Sequence, residues 1–255
     1  MILEAKNLML CRGGRAILKG FSATVRQGSF TVLLGPNGCG KSTFLSAVSG
    51  MLPYQGEILL KGRALRDYSA KERASEVAIV PQIPARAGIS VTDLITLGRM
   101  PHRTLGERLR EQDLQLIEDA IVLFDLQKLR NANLDRLSGG ELRRAYIAMA
   151  AAQDAPLLML DEPDAHLDEY NRHKIMEILH HFNQDRGKTV LVVTHDIADA
   201  VRYANEIILM KDGRSVGQDA VESILKKKKI ESLFGVERYV GEIWGIQETQ
   251  KGDLI

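Results

Sequence analysis

Residues 35–43 read G-P-N-G-C-G-K-S-T and match the phosphate-binding pattern G-x-x-x-x-G-K-[ST]. The apolar run Phe30–Leu34 before this loop predicts a β-strand, and the run Phe44–Val48 after it predicts a helix. Strand, glycine loop and helix in this order are the context in which the pattern binds phosphate. An ordinary glycine turn is the alternative, but a turn does not require Lys-Ser-Thr directly after its last glycine.

The chemistry of this loop predicts a nucleoside triphosphate as its ligand. Glycines let the backbone curl so that successive N–H groups point at phosphate oxygens, and the following helix adds the partial positive charge of its N-terminus. Lys41 is predicted to neutralise the β- and γ-phosphates, and the Ser42 hydroxyl to bind Mg²⁺. The residues predicted to contact the nucleotide here are Gly35, Pro36, Asn37, Gly38, Cys39, Gly40, Lys41, Ser42 and Thr43.

A second apolar run, Leu157–Leu160, ends in two carboxylates, Asp161 and Glu162. Adjacent residues of a strand point in opposite directions, so the two acids can serve different partners. We expect Asp161 to hold Mg²⁺, through a water molecule, and Glu162 to act as the general base that aligns and polarises the attacking water. A strand that simply ends in two solvated acids is the alternative, and the phosphate loop upstream argues against it.

The composition excludes several classes of protein. The chain has 255 residues, of which 45% are hydrophobic, and 34 basic residues nearly balance 33 acidic ones. A protein that coats nucleic acid would need a clear basic excess, so we expect no nucleic-acid partner. Two distant cysteines, Cys11 and Cys39, form neither a disulfide framework nor a metal site and suggest a reducing cytoplasm. The first residues do not resemble a secretory signal, and no run reaches the roughly 18 apolar residues of a membrane span.

The pattern along the chain predicts a single domain over residues 1–255. Continuous apolar runs, such as Thr189–Thr194, are typical of strands buried on both faces of a parallel sheet. Between them, residues 91–98, 112–124 and 140–153 have helical periodicity. We therefore predict a three-layer α/β core formed by residues 1–83 and 155–255, with an inserted helical subdomain at residues 84–154.

Four further segments resemble motifs of ATP-binding cassette (ABC) ATPases. Leu137–Glu141, Leu-Ser-Gly-Gly-Glu, resembles the family's signature motif, and Gln82 resembles its Q-loop glutamine. Ala165–Asp168 resembles the D-loop, and His195 resembles the switch histidine. The resemblance covers essentially the whole chain and implies the P-loop NTPase fold with an inserted helical subdomain. It also implies the cofactors ATP and Mg²⁺.

The resemblance implies that two copies of the chain form a head-to-tail dimer. Ser138 is a natural N-cap, and the exposed N–H groups of Ser138, Gly139 and Gly140 at a helix start attract an anion. In the family these groups close on the γ-phosphate held by the other copy. Gln82 is expected to sense the γ-phosphate and to contribute to the Mg²⁺ site, and His195 is expected to be catalytic together with Glu162, Gln82 and Lys41.

The sequence departs from the family pattern at several positions. Arg12 stands where many members carry an aromatic residue stacked on adenine. A guanidinium can also stack on a flat base, so we predict this role for Arg12, with a solvated turn residue as the alternative. Leu142 and Arg143 replace the family's frequent Arg-Gln, which puts the coupling role of this helix in doubt. Cys39 is interpreted mainly as a small residue that fills the loop, with a reactive thiolate as the alternative, because Lys41 and nearby N–H groups would lower its pKa.

Three classes of ABC protein compete: an importer subunit, the ATPase half of an exporter, and a soluble cassette without a transport role. One cassette without fused membrane spans fits an importer. Residues 91–102, which include Leu-Gly-Arg-Met-Pro-His, resemble importers for ferric siderophores, haem and cobalamin, as does Leu233–Val236. Zinc, manganese and molybdate importers have related cassettes. The resemblance implies polytopic membrane permease subunits as partners, an extracytoplasmic substrate-binding protein as an indirect partner, and a peripheral location on the cytoplasmic face of the membrane.

Overall fold

The computed structural model of the protein describes residues 1–82, 88–104, 106–163 and 167–234. The strands in these ranges are β1 (Leu3–Arg12), β2 (Arg15–Val25), β3 (Phe30–Leu34), β4 (Gln55–Leu60), β5 (Arg63–Ala64), β6 (Val77–Val80), β7 (Leu157–Asp161), β8 (Thr189–Thr194), β9 (Glu206–Lys211) and β10 (Arg214–Ala220). The α-helices are α1 (Lys41–Val48), α2 (Ala70–Glu76), α3 (Val91–Leu97), α4 (Glu111–Leu123), α5 (Gly139–Ala152), α6 (Glu169–Arg186), α7 (Ile197–Tyr203), α8 (Val221–Lys226) and α9 (Lys229–Phe234).

A six-stranded sheet forms the centre of the molecule, with the order β10-β9-β3-β8-β7-β6. Its strands run parallel except for β10, which pairs antiparallel with β9 at one edge. Every residue of β3, β7 and β8 is buried, as the continuous apolar runs predicted. Because these strands are parallel, the loops that leave β3, β6, β7 and β8 meet at one edge of the sheet.

Alternate residues of the large sheet face two separate hydrophobic cores. Phe30, Val32 and Leu34 of β3 pack with apolar residues of α3, α4, α5 and α6. Leu33 lies in the other core, together with residues of α1 and of the strands β1, β2 and β4. The period-two alternation of a strand thus gives the sheet one helical side and one mixed side, which confirms the predicted α/β layered fold.

A second sheet, with the order β2-β1-β4-β5, is entirely antiparallel. Gly13 and Gly14, both with positive φ, form the turn that joins β1 to β2. The sequence pattern did not predict that β1 also pairs with β4, where Leu3 lies opposite Leu60. This sheet covers the face of the large sheet on which α1 lies.

The helical segment between β6 and β7 is held together around the buried side chain of Arg99. Its Nε donates to Asp113 Oδ1 at 2.8 Å, and its Nη1 donates to the carbonyls of Ala152 and Gln153 at 2.7 and 3.1 Å. Gly98 is equally constrained, because a Cβ there would lie 2.2 Å from the carbonyl oxygen of Met149. The Leu-Gly-Arg-Met-Pro-His segment therefore closes the C-terminal end of α5. The subdomain boundary near residue 84 lies outside the described residues and stays a prediction.

In the described part of the chain, no helix combines the length and apolar character needed to cross a bilayer.

Candidate nucleotide site

The phosphate-binding loop lies between β3 and α1, as the sequence predicted. Gly35 has no room for a side chain, because a Cβ would lie 2.3 Å from the carbonyl oxygen of Met210. Gly38 and Gly40 adopt φ values of 76° and 113°, which other residues rarely reach. No side chain of the described residues caps the N-terminus of α1, which leaves its first N–H groups available to an anion.

The side chain of Lys41 folds back across this loop. It is 5% exposed, and its Nζ donates to the carbonyl oxygens of Gly35 at 2.7 Å and Pro36 at 3.1 Å. Nζ also lies 3.9 Å from Glu162 Oε1 at the end of β7. The loop thus places a buried ammonium group between its own backbone and the second carboxylate, where it can meet the phosphates of a nucleotide.

Asp161 and Ser42 form a pair of oxygen ligands beside this ammonium. Burial raises the pKa of Asp161, while a hydrogen bond from Ser42 opposes the shift. Asp161 Oδ1 is buried and has no hydrogen-bond partner within the ranges that the structure describes. Hydroxyl and carboxylate oxygens are the donors that Mg²⁺ prefers, so this pair fits a magnesium ion.

Three side chains from different loops converge on Glu162. Gln82 Nε2 donates to Glu162 Oε2 at 2.7 Å, and His195 Nδ1 lies 3.7 Å from Oε1, the oxygen that also faces Lys41. The glutamate itself has a φ of 43°, in the left-handed region that non-glycine residues seldom adopt. Its N–H donates to the carbonyl oxygen of Val193 at 2.9 Å, which fixes this conformation. Parallel strands therefore bring Gln82 to Glu162, 80 positions away on the chain, at one edge of the sheet.

The predicted signature motif caps the N-terminus of α5. Ser138 Oγ accepts from the N–H of Glu141 at 3.3 Å, and Glu141 Oε2 accepts from the N–H of Ser138 at 2.8 Å. This capping box confirms the predicted N-cap and sets the first helical residue at Gly139, one position earlier than expected. Within the described residues, a Cβ at Gly139 would have no neighbour within 4 Å, so the turn is open at this position.

Other predicted site residues lie apart from this cluster. Arg12 is exposed at the end of β1, opposite Arg15 in the hairpin. Ala165 and His166 of the predicted D-loop lie outside the described residues, as do Gly235 and Val236 of the C-terminal segment; Asp168 caps α6.

The surroundings of Cys39 agree with the predicted filler role and not with the alternative of a reactive thiolate. Burial raises the pKa of its thiol more than Lys41 and the nearby N–H groups lower it. The sulfur lies in the second hydrophobic core, where a Cβ added to Gly35 would meet it at 2.9 Å, and it fills space under the loop.

Sequence reasoning also missed Arg143, whose buried guanidinium joins α5 to the loops that carry Gln82 and Glu162. It donates to the carbonyls of Asp161 at 2.7 Å, Gln82 at 3.1 Å and Pro163 at 3.2 Å, and to that of Pro81. The only signal in the sequence was the departure from the family pattern at this position.

Comparison with known proteins identifies the family of this chain. The family model described as ABC transporter matches residues 18–165, more than half of the chain. The chain therefore belongs to the ABC transporter family, and it is an ATP-binding, ATP-hydrolysing cassette of that family.

Individual relatives cover most of the chain. It is 34% identical over 236 residues to the ferric enterobactin transport ATP-binding protein FepC of Escherichia coli K12, which covers 92% of this chain and 87% of FepC. It is 35% identical over 243 residues to the hemin import ATP-binding protein HmuV of Pseudomonas aeruginosa. This match covers 92% of this chain and 93% of HmuV.

Solved structures of ATP-binding cassettes are similar in fold to this chain. The dimeric post-hydrolysis cassette MJ0796 bound to ADP and Pi superposes with a TM-score of 0.75 at 27% identity, covering 86% of this chain and 98% of that one. CbiO1 of Clostridium perfringens, part of the CbiONQ transporter complex, gives a TM-score of 0.78 at 27% identity, covering 97% and 98%.

Proposed function

We propose that this chain is the ATP-hydrolysing subunit of a membrane importer for a metal chelate, such as a ferric siderophore, haem or cobalamin. Membership of the ABC transporter family supports the ATPase, and relatives named for ferric enterobactin and hemin import support the class of substrate. The convergence of Lys41, Gln82 and His195 on Glu162 is the observation that carries the proposed chemistry.

In this proposal each residue of the cluster has one task. The loop residues 35–43 hold the phosphates through backbone N–H groups, and Lys41 neutralises the β- and γ-phosphates. Glu162 accepts a proton from the water that attacks the γ-phosphate, and Gln82 and His195 hold that carboxylate and the water in line. Bound to Asp161, Ser42 and Gln82, Mg²⁺ would supply positive charge to the phosphate oxygens.

We also propose that hydrolysis requires a second copy of the chain. At the capped start of α5, Ser138 and Gly139 are exposed, so the N–H groups of this turn can meet an anion from outside, while the buried Gly140 packs against Asn171. The dimeric cassette among the similar structures supports a head-to-tail pair in which this turn closes on the partner's γ-phosphate. Membrane permease subunits, and through them an external substrate-binding protein, complete the proposed assembly at the cytoplasmic face.

Arg12 is proposed to stack on the adenine ring. Its exposed position at the end of β1 leaves the guanidinium accessible, and such stacking contributes about 0.5–1 kcal/mol at an exposed site. Arg12→Ala should therefore weaken ATP binding several-fold, measured by isothermal titration calorimetry. Unchanged affinity would show that Arg12 is only a solvated turn residue.

The reaction is tested on the purified full chain by comparing wild type with Glu162→Gln. The variant should bind ATP normally but lose hydrolysis by about 10²–10⁴-fold, because it lacks the base. Glu222→Gln, the same substitution on the exposed start of α8, is the matched control and should hydrolyse ATP like wild type. Substantial turnover by Glu162→Gln would contradict the assignment of the base.

Transport is tested in cells that lack the endogenous gene. Wild type should restore uptake of at least one labelled ferric siderophore, haem or cobalamin, and Lys41→Ala should not, whereas the surface control Lys19→Ala should. Loss of efflux rather than uptake would favour an exporter. ATP hydrolysis without any transport defect would favour a soluble cassette.

A further inference from the structure

Arg143 makes an unusual set of hydrogen bonds for a helix residue. Its side chain is 4% exposed, and the guanidinium donates to four backbone carbonyls that belong to two different loops. Pro81 and Gln82 follow β6, and Asp161 and Pro163 lie at the end of β7. One side chain of α5 therefore holds two segments that are 61 and 18 residues away along the sequence.

The two loops that Arg143 joins are the ones that place the proposed catalytic side chains. Gln82 bonds to Glu162 at 2.7 Å, so the same two segments are linked once through side chains and once through this guanidinium. Arg143 contacts the backbone of Gln82 directly and the residues on either side of Glu162. A shift of the guanidinium would move both ends of the Gln82–Glu162 hydrogen bond.

Arg143 also lies close, along α5, to the proposed nucleotide-contacting turn. Arg143 lies in the second turn of α5, and Ser138 caps the start of that helix. A rigid helix couples these two points, because its backbone hydrogen bonds leave little freedom over five residues. Any force applied to the capped start of α5 is therefore transmitted to Arg143.

We propose that Arg143 is a positioning residue for ATP hydrolysis, which couples the position of α5 to the alignment of Gln82 and Glu162. The inference rests on the proposed function. When the start of α5 closes on the nucleotide of a second copy, Arg143 carries that movement to the two loops. Hydrolysis thus depends on closure of the pair as well as on binding of ATP.

The chemistry of the side chain makes this role specific to arginine. A guanidinium offers five N–H donors in a rigid plane, which matches four carbonyls arranged around it. A lysine ammonium has three donors at a single point, so Arg143→Lys can satisfy only part of the set. Arg143→Gln keeps one amide donor group and removes the charge.

The experiment compares ATPase kinetics of wild type, Arg143→Lys and Arg143→Gln in the full chain. We expect Arg143→Gln to lower kcat about 10- to 100-fold, the range that a small misplacement of reacting groups produces, and to change the KM for ATP less than about twofold. Arg143→Lys should fall between this variant and wild type. Each is assayed at a temperature at which circular dichroism shows it to be fully folded.

Arg99→Lys is the matched control, because Arg99 is equally buried and also donates to carbonyls of α5, at the end far from the nucleotide site. It should lower the melting temperature and leave kcat near that of wild type. A structural role for Arg143 would give the same result as this control. A wild-type kcat in folded Arg143→Gln would therefore overturn the proposal.

A double-mutant cycle tests whether Arg143 acts through Gln82. Because Gln82→Ala already removes the group that Arg143 aligns, adding Arg143→Gln should reduce kcat much less than it does in wild type. Full additivity of the two effects would overturn the coupling. If Arg143→Gln does not fold, the same cycle is run with Arg143→Lys. A wild-type chain that does not hydrolyse ATP would overturn the proposed function itself, and with it this inference.

Discussion

The two ends of α5 use the same chemical group for different purposes. At the C-terminal end, Arg99 bonds to Asp113 and to the carbonyls of Ala152 and Gln153, all within the helical segment. Near the N-terminal end, Arg143 bonds to carbonyls in the loops of the nucleotide site. Both guanidinium groups are about 95% buried, so burial alone does not separate them.

The difference lies in what each arginine connects. Arg99 joins elements of one packed unit, and its loss should change stability. Arg143 joins a helix to two loops at the edge of a parallel sheet, where ligands commonly bind in α/β folds, and its loss should change catalysis. A buried arginine is therefore best interpreted from the elements that its partners belong to.

The largest effect expected on stability comes from breaking the Arg99–Asp113 pair. Arg99→Ala leaves the Asp113 carboxylate buried without its partner, which should cost about 3–5 kcal/mol of unfolding free energy. Urea denaturation followed by circular dichroism measures this change. Arg130→Ala, which breaks the exposed pair with Glu118, is the control from the same segment and should cost about 1 kcal/mol or less. Equal losses of unfolding free energy in the two variants would contradict the difference expected between the buried and the exposed pair.

A smaller loss is expected from Gly98→Ala, which tests the packing of the same segment. The new Cβ would lie 2.2 Å from the backbone carbonyl of Met149, so α3 and α5 must move apart, at a cost of about 1–3 kcal/mol. Gly88→Ala is the matched control, because a Cβ there meets no described residue within 4 Å. A melting temperature for Gly98→Ala as high as that of the control would show that the segment packs less tightly than described.

The pH dependence of unfolding tests the Arg99–Asp113 ion pair. Burial would raise the pKa of Asp113, but the N–H of Arg110 and the guanidinium of Arg99 together hold it below its usual value. The pair therefore stabilises the fold above the unfolded-state pKa of about 3.9 and loses this contribution as pH falls through the lower folded-state pKa. Between pH 7 and pH 3, the melting temperature should fall more steeply for wild type than for Asp113→Asn. Parallel curves would contradict the assignment.

The smallest effect is expected at Cys39, in the phosphate loop. Because burial raises the pKa of its thiol, iodoacetamide at pH 7.5 should label the exposed Cys11 and leave Cys39 largely unmodified. Peptide mass spectrometry separates the two sites, and Cys11→Ser should abolish most labelling of the native chain. Faster labelling of Cys39 than of Cys11 would favour the alternative of a reactive thiolate over the filler role.

The sequence predicted those features that depend on local pattern. The phosphate loop, the carboxylates after β7 and the capped start of α5 each lie within a few residues and have a distinctive composition. Arg99 and Arg143 could not be assigned in this way, because most of their partners are carbonyl oxygens, which every residue carries. Arg143 also reaches Pro81, 62 residues away, so its role appears only once the parallel strands bring the two segments together.

The same reasoning explains the features that the sequence left open or did not predict. The raised pKa of Cys39 depends on the packing above and below the loop, and the pairing of β1 with β4 depends on contacts between residues that are distant along the chain. The left-handed conformation of Glu162 likewise follows from its bond to the neighbouring strand and not from its residue type. Long-range packing is the information that a single sequence lacks.

The central claim, that two copies enclose the nucleotide, is tested most directly by light scattering on Glu162→Gln with and without MgATP. We predict a monomer without nucleotide and a dimer with it, and a monomer under both conditions when Ser138→Arg is added, with unchanged ATP affinity for the single chain. A Ser138→Arg, Glu162→Gln chain that still dimerises on ATP, or a wild-type chain that hydrolyses ATP while remaining a monomer, would contradict the account.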